Sequence, residues 1–344
     1  MAPDEQPRAG KTNPNVSVVI PARDEEQLIA SCLRALARQS IGAHALEVIV
    51  VAAGTDRTAE IATAAGSSFR RCEVVTLEAG NKNAALRIGC ARVSGDIVAL
   101  IDADTELAPT ALAEFVKELE RTPHSVFHGA LRSRHATWVA RYSELHYRLV
   151  KDLHFNGNLG GGVIVLPRAA LNAMDLGDLF PDRIGAGDDV HLGRQLRRCG
   201  WRIAYVATAE GTTGFPQTLR GLVASMLRNR RGVMALLPWP EAALQAANSV
   251  LLLGSAGAPL LVASHSFTLA LVCLLPLLVH LARGAWRVVT LYRRGLGDYR
   301  RDLPAFLALD LLDRGLKLWA FIERVCGRAA PRSFRGERPK VAVA

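Results

Sequence analysis

Short apolar runs alternate with amphipathic segments over the first hundred residues of the chain. The runs are rich in Val, Ile and Leu and contain almost no polar residue, which predicts strands buried on both faces. They are residues 16–20, 46–51, 73–77 and 97–101. The segments between them carry apolar side chains at helical spacing, which predicts helices over residues 24–39, 56–65 and 83–93. This alternation indicates an α/β fold with a mainly parallel sheet covered by helices on both faces.

The chain is less regular between residues 121 and 206. An apolar segment predicts a strand over residues 125–131, and helical spacing predicts a helix over residues 138–153. Three consecutive glycines, residues 160–162, predict a turn before a further apolar run at residues 163–166. After this run come the acidic pair Asp188-Asp189, a helix that ends at Cys199 and a strand over residues 202–206.

Polar residues follow the predicted strands where a ligand is expected. In open α/β sheets, ligands bind beyond the carboxyl ends of the strands. Arg23, Asp24 and Glu25 follow the first strand, and Gly54, Thr55 and Asp56 follow the second. The fourth strand is followed by Asp102-Ala103-Asp104. The first, second and fourth strands therefore direct chemistry-bearing side chains towards one edge of the sheet.

The two carboxylates of Asp102 and Asp104 create a strongly negative site. Unpaired carboxylates at the end of a buried strand repel each other. A divalent cation relieves this repulsion and can bridge to a diphosphate. An acidic pair of this kind is common in solvated loops, so its position directly after residues 97–101 is what favours a metal site.

Charge and cysteine content indicate which partner and which cellular compartment the sequence favours. The formal net charge is +10, and the chain from Arg283 onward holds 14 Lys or Arg against 6 Asp or Glu. Because this basic segment follows a long apolar run, it favours an anionic membrane surface over nucleic acid as the partner. The six cysteines are scattered and form no C-x-x-C pair, which is typical of reduced thiols in the cytosol and excludes a disulfide scaffold.

The apolar run covers residues 246–282 and contains no Asp, Glu, Lys or Arg. A single spanning helix needs about 20 apolar residues, so this length predicts a membrane segment, most simply a helical hairpin that turns near His265. A buried hairpin in a soluble domain is the alternative. Residues 303–325 predict an amphipathic helix that lies on the membrane surface or packs against the preceding domain.

The predicted organisation has four parts. Residues 1–15 are polar and contain three prolines, which predicts a disordered lead. The α/β domain is expected over residues 16–235 and the membrane segment over residues 246–282. A basic, partly amphipathic cytoplasmic tail is expected over residues 283–344. Positive residues that flank a span stay in the cytoplasm, which favours an even number of crossings over one.

Six motifs, in the same order, resemble those of glycosyltransferase family 2, an inverting group with the GT-A fold. Together they cover roughly residues 16–235. They are Pro21-Ala22-Arg23-Asp24-Glu25; Gly54 to Thr58; Gly80 to Leu86; Gly95 to Asp104; Asp188-Asp189 with Leu192, Leu196, Gly200 and Trp201; and Arg228-Asn229-Arg230-Arg231-Gly232.

The resemblance implies an enzyme that transfers a sugar from a nucleotide-diphosphate sugar, with Mn²⁺ or Mg²⁺ as the cofactor. Asp104 is implied as the direct metal ligand, and Asp102, the other member of the metal-binding pair, is expected to face the ribose or a metal-bound water. Asp189 is implied as the general base that takes the acceptor's proton. Asp188 is the next candidate, with a helix cap as its alternative role.

The remaining implied site residues bind the donor. Lys82 and the pair Arg228 and Arg231 are expected to neutralise phosphate charge; a solvated lysine and a basic membrane-facing stretch are the alternatives. Close approach of the backbone to the donor sugar or the acceptor is expected at the glycine turn; a plain turn is the alternative. The full set of expected binding residues is Pro21, Arg23, Glu25, Asp56, Lys82, Asp102, Asp104, Gly161, Gly162, Arg228 and Arg231.

Three departures from the family pattern leave alternatives open. Ala52-Ala53 stand where an acid is usual before the second turn, Asp188 replaces Glu, and Gly232 replaces Trp. Asp24 or Asp56 is the expected substitute for the missing acid. The expected acceptor is a lipid or lipid-linked glycan at the cytoplasmic face of the cell membrane. A non-catalytic sugar-nucleotide-binding or scaffold relative and a nucleotidyltransferase are the competing hypotheses.

Overall fold

The computed structural model describes residues 15–78, 81–153, 155, 157–262, 266–327 and 341–343. Within these ranges one sheet contains nine strands. They are β1 Val16–Arg23, β2 Leu46–Ala53, β3 Arg71–Leu77, β4 Ile97–Ile101, β5 Glu106–Leu107, β6 Ser125–Ser133, β7 Val163–Pro167, β8 Arg202–Thr213 and β9 Val341–Val343.

Helices cover the sheet and continue beyond it towards the carboxyl terminus. Those that precede β8 are α1 Ile29–Ala37, α2 Thr58–Ala65, α3 Lys82–Cys90, α4 Ala111–Arg121, α5 Trp138–Arg148, α6 Arg168–Leu171, α7 Leu176–Leu179 and α8 Asp188–Arg198. Those that follow it are α9 Leu219–Leu236, α10 Trp239–Val262, α11 Phe267–Arg293 and α12 Leu303–Val325.

The strand order is β5-β8-β6-β7-β4-β1-β2-β3-β9. The pairs β1–β2, β1–β4, β2–β3 and β6–β8 are parallel, whereas β5, β7 and β9 run against their neighbours. The α/β fold class predicted from the sequence is confirmed. The four predicted N-terminal strands are present and buried because helices cover both faces of the sheet.

Several elements differ from the sequence prediction. Helix α1 begins at Ile29 and not at residue 24, because the chain first turns back towards the end of β2. Strand β8 extends to Thr213, well beyond the predicted residue 206, and pairs with β6 across a register shift after Gly129. Strand β5 and helix α4 were not predicted, although α4 buries an apolar face of Leu112, Phe115 and Leu119.

The apolar run at residues 246–282 forms parts of α10 and α11. The predicted turn at His265 lies outside the described residues, as does the predicted disordered lead up to residue 14. Within the described ranges, one helical segment, Thr268–Arg293, is long and apolar enough to cross a membrane, with a mean hydropathy of 1.8. Only 6% of its most apolar window is buried by the rest of the protein.

Helix α12 has the predicted bounds, and it packs against α9 and α10. Its buried side chains include Phe306, Leu309 and the carboxylate of Asp313. In the structure this helix therefore packs against the preceding domain, which was one of the two placements considered from the sequence. The predicted tail at 283–344 begins inside α11, and helix α12 within it joins the tail to α9 of the α/β domain.

Candidate active site

The loop after β1 is fastened to the loop after β2. Asp24 has a positive φ of 54°, its amide donates to the carbonyl of Ala53 at 3.2 Å, and its carboxylate accepts from the amide of Thr55 at 3.0 Å. Gly54 has a φ of 108°, and a Cβ there would lie 2.1 Å from Asp24 Oδ1. Only glycine fits this position, so the turn depends on Gly54.

Asp56 strengthens the same junction. Its Oδ2 accepts from the amide of Glu26 at 2.9 Å, and its Oδ1 accepts from the Thr58 hydroxyl at 2.6 Å. Asp56, one of the two residues expected to replace the acid missing at Ala52-Ala53, thus uses one carboxylate oxygen to join the two loops and the other to order its own loop. Pro21 lies within β1, beside Val51, and Arg23 is exposed at the end of that strand.

Carboxylates accumulate beyond the ends of β1 and β4. Burial, with the carboxylates of Asp104 and Asp102, raises the pKa of Glu25 to about 7. Burial and the charge of Asp102 also raise the pKa of Asp104. The site therefore has more negative charge than its own cations neutralise, which suits a divalent cation.

The protein supplies only part of a coordination sphere. In the part of the chain that the structure describes, no group of three or more His, Cys, Asp or Glu side chains is arranged to hold a metal ion by itself. Mg²⁺ and related ions commonly combine one or two carboxylates with substrate phosphates and water. Asp102 and Asp104 fit such a site, in which a diphosphate supplies further oxygens.

Lys82, at the start of α3, faces these carboxylates. Its Nζ lies 2.6 Å from Asp102 Oδ1 and 3.5 Å from Asp188 Oδ2. Burial by itself would lower the pKa of Lys82, but the charges of Asp102 and Asp188 raise it overall. Lys82 is therefore a cation of the site, although its side chain is still 40% exposed. The Asn81 side chain caps the helix by accepting from the amide of Ala84 at 2.9 Å.

A cleft brings together six of the residues expected from the sequence. These are Lys82, Asp102, Gly161, Gly162, Asp188 and Asp189. An apolar wall that includes Leu100, Phe180 and Leu192 closes one side. The amide of Asp102 donates to the carbonyl of Gly162 at 3.0 Å, which fixes the glycine turn against the end of β4. A Cβ at Gly161 would meet no atom within 4 Å, so this position faces open space.

The acidic pair opens helix α8. The residue at the N-cap is Gly187, with a φ of 80°, and not Asp188 as the sequence suggested. Asp188 lies in the first turn and faces Lys82. Burial, with the adjacent charge of Asp188, raises the pKa of Asp189 above that of an ordinary aspartate. A carboxylate with a raised pKa is a stronger base, which suits proton abstraction near neutral pH.

Arg228 and Arg231 are not among the residues that line the cleft. The guanidinium of Arg231 makes two hydrogen bonds to Glu323 of α12, at 2.7 and 2.5 Å. Arg228 is exposed on α9. The sequence prediction grouped these arginines with the diphosphate site. The structure instead commits Arg231 to a partner that local sequence patterns do not reveal, 92 residues further along the chain.

Sequence reasoning missed a buried polar group behind the glycine turn. Lys151 is 7% exposed, and its Nζ donates to the carbonyl of Asn158 at 2.7 Å. Burial lowers the pKa of Lys151 to about 8, and the charge of Asp189 opposes that shift. A Cβ at Gly160 would lie 3.0 Å from both His128 Nδ1 and the Tyr147 hydroxyl. Only the run of glycines signalled such close packing.

Arg134 and Thr213 were also missed, although both hold the segment that carries Asp104 in place. Arg134 Nη2 donates to the carbonyl of Asp104 and to Glu106 Oε1, each at 2.9 Å. The Thr213 side chain hydrogen-bonds the Asp104 carboxylate and lowers its pKa against the larger effect of burial. Thr213 ends β8 and Arg134 directly follows β6, two neighbouring strands whose full extent the sequence did not predict.

A second cavity, of about 270 Å³, lies between α5, α9 and the chain that follows β8. Its walls include Tyr142, Tyr147, Phe215, Met226 and Asn229. Tyr147 also borders the glycine turn, and Tyr142 contacts Phe306 of α12. The cavity therefore lies between the cleft and the C-terminal helices.

Residues 14–232 match the family described as glycosyltransferase-like family 2. Glycosyltransferase AglE of Haloferax volcanii is 27% identical over 199 residues, which are 56% of this chain and 65% of AglE. An N-acetylglucosaminyltransferase of Rhizobium leguminosarum bv. viciae is 26% identical over 237 residues, 62% of this chain and 54% of the relative. The chain thus covers less than two thirds of the length of these relatives.

The fold resembles that of a solved mannosyltransferase, PcManGT from Pyrobaculum calidifontis, in complex with GDP-Man and Mn²⁺. The TM-score is 0.66 at 20% sequence identity, and the match covers 92% of this chain and 89% of the other. At this identity the likeness establishes the fold. The likeness extends beyond the α/β domain, because the matched 92% of the chain is more than residues 14–232 contribute.

Proposed function

Since the chain belongs to glycosyltransferase-like family 2, we propose that it is an inverting glycosyltransferase that uses a nucleotide-diphosphate sugar. The observation that carries the proposal is the cleft that joins Asp102 and Lys82 to the pair Asp188-Asp189. A cation-binding acidic motif on one side and a basic carboxylate on the other are the two functions that this reaction requires.

The donor's diphosphate is proposed to bind beside Asp102 and Asp104 through Mn²⁺ or Mg²⁺. The metal, when bound, neutralises charge that develops on the leaving nucleotide. Lys82 supplies a second positive charge at the same edge and takes the role expected of Arg228 and Arg231. The complex of PcManGT with GDP-Man and Mn²⁺ supports this assignment by analogy of fold.

Asp189 is proposed as the general base. It would accept the proton of the acceptor hydroxyl as that oxygen attacks the anomeric carbon. Its raised pKa makes it a better proton acceptor than a free aspartate. Asp188 faces Lys82 and is proposed to position that lysine.

The acceptor is proposed to be a lipid or lipid-linked glycan at the cytoplasmic face of the cell membrane. The cavity between α5 and α9 offers a route from the cleft towards the C-terminal helices. Those helices expose large apolar side chains, among them Val272, Leu275 and Val279 of α11. Contiguous exposed apolar surface marks a membrane or protein contact, and the nearby arginines Arg293 and Arg294 favour anionic lipid.

The proposed membrane topology is a hairpin of α10 and α11 that enters from the cytoplasmic side. These two helices pack against each other. Reporter fusions at Pro240 and at the carboxyl terminus test it. The hairpin requires a cytoplasmic signal at both positions, whereas an external signal at the carboxyl terminus alone would show one crossing.

The activity is tested with the full chain and labelled UDP-, GDP- and dTDP-sugars, with Mn²⁺ or Mg²⁺ and extracted membrane lipid as the acceptor. The expected result is metal-dependent transfer of sugar with release of a nucleoside diphosphate, and its loss in Asp189→Asn. Donor binding without any turnover would support a non-catalytic relative. Release of pyrophosphate from nucleoside triphosphates would instead support a nucleotidyltransferase.

A further inference from the structure

Helix α12 holds α9 by a row of buried and half-buried ion pairs. Arg230 donates two hydrogen bonds to Asp313, at 2.6 and 2.8 Å, and Lys317 Nζ lies 2.9 Å from the same carboxylate. Asp313 is fully buried. One turn before the end of α12, Glu323 binds Arg231 through both of its oxygens. Bidentate pairs of this kind fix orientation as well as distance.

The same two turns of α9 touch the loop that carries the acidic pair. A Cβ at Gly232 would lie 2.4 Å from the carbonyl oxygen of Ala186, so the helix backbone packs directly on that loop. A Cβ at Gly187 would lie 3.1 Å from Leu236. Arg194 of α8 donates to the carbonyl of Leu236, which adds a contact to the helix that follows the acidic pair.

We propose that α12 is a positioning element for Asp188 and Asp189, and that Glu323 acts through Arg231 and Gly232 to place the acidic pair. Arg231 is next to Gly232 in the chain, and Ala186 is two residues before Asp188. Any rotation of α9 about its axis moves the backbone on which Ala186 rests. The ion pairs of α12 oppose that rotation, so they set the distance between Asp189 and a bound acceptor.

This arrangement explains why glycine stands at position 232, where the family pattern has tryptophan. A side chain there would displace the 186–187 backbone, and the adjacent Arg231 turns away from the cleft to reach Glu323. Arg231 and Glu323 touch no reacting atom in this scheme, so both are positioning residues. A misplacement of a reacting group by about 1 Å can cost about a hundredfold in rate, so a small change at Glu323 is expected to be measurable.

The test compares Glu323→Gln with Glu118→Gln, a control on α4 in which the lost carboxylate pairs with Arg121 at 3.0 Å. In Glu323→Gln, amide hydrogen exchange over residues 186–192 is expected to rise several-fold, with no change in the control. This measurement needs no catalytic activity, so it decides the positioning role even if the proposed function fails. Unchanged exchange in this segment would overturn the proposal.

The kinetic arm rests on the proposed function. Glu323→Gln is expected to lower kcat about tenfold while KM for the donor stays within about twofold, because the base moves and the donor site does not. The charge-swapped double variant Arg231→Glu with Glu323→Arg restores the pair and is expected to recover most of kcat. Equal losses in the single and double variants, or a change confined to KM, would contradict the assignment.

Discussion

The cleft and the interface between α9 and α12 both contain clustered carboxylates and basic side chains, under opposite electrostatic conditions. Within the cleft, burial and neighbouring negative charge raise the pKa of Asp189, and beside it they raise the pKa values of Glu25 and Asp104. At the interface, burial alone would raise the pKa of Asp313, yet Arg230 and Lys317 hold it far below its ordinary value.

The difference separates carboxylates whose charge is not yet neutralised, and which a ligand could neutralise, from a carboxylate that already has cationic partners in the protein. Carboxylates that repel each other at a cleft cost folding energy that a bound cation or proton can return. Carboxylates with two cationic partners contribute order to the native state. The two regions touch through Gly232 and Ala186, so the interface between α9 and α12, whose charges are paired, supports the cleft, whose charges are not.

The largest effect is expected from Asp189→Asn, which removes the basic group and keeps its shape. We expect kcat to fall about a thousandfold, with donor affinity unchanged, in a steady-state transfer assay. Asp96→Asn, at a surface carboxylate that is 82% exposed, is the control and should behave as the wild type. If Asp189→Asn stays within a few-fold of the wild type, the base lies elsewhere and Asp188 becomes the candidate.

Asp313→Asn probes the interface between α9 and α12. Removing one member of a buried ion pair leaves Arg230 and Lys317 without their counter-charge, so we expect the free energy of unfolding in urea to fall by about 3 kcal/mol. Asp104→Asn, beside the cleft, is the matched substitution and should cost little stability because it relieves repulsion from Asp102. Equal losses in the two variants would remove the electrostatic distinction between the regions.

Asp104→Ala is expected to weaken metal-dependent donor binding by at least about tenfold. The reason is the loss of the proposed direct ligand, while Asp102 remains paired with Lys82. Isothermal titration with the donor in the presence and absence of Mn²⁺ measures the effect, and the thermal midpoint checks that the fold is intact. Donor affinity that keeps its full metal dependence would place the cation elsewhere.

The smallest effect concerns pH. The pKa of Glu25 is about 7 in the folded protein against an ordinary 4.5, so between these values the native state binds a proton that the unfolded chain releases. Stability therefore falls as pH rises through this window. We expect Glu25→Gln to remove that part of the pH dependence in metal-free protein, seen as a smaller difference in Tm between pH 5 and pH 8. An unchanged difference would contradict the raised pKa.

Local patterns predicted the fold class and much of the cleft, for a geometric reason. Parallel strands end at one edge of a sheet, so residues placed after different strands become neighbours without any further information. Asp102 after β4 meets Lys82 after β3 in this way. The acidic pair at α8 follows no parallel strand and reaches the cleft by a different route. The roles assigned to these residues remain predictions.

The rest depended on contacts that no local pattern records. Glu323 lies 92 residues from Arg231, and nothing in either segment points to the other. The pattern around Asp313 and Lys317 fitted a membrane surface as well as a protein surface, because both bury one helical face. Lys151 lies in a π-helical turn, Leu149–Leu153, that continues α5, and its burial follows from the glycine turn packed against it.

Gly232 has a consequence for the history of the sequence. Any side chain at position 232 would collide with the backbone of Ala186. Positions 186 and 232 therefore cannot vary independently. Homologues with tryptophan at 232 are expected to carry a shorter or displaced segment before the acidic pair. Ancestral reconstruction would then show the two changes arising together, and a consensus design that restores tryptophan alone would yield a misfolded loop.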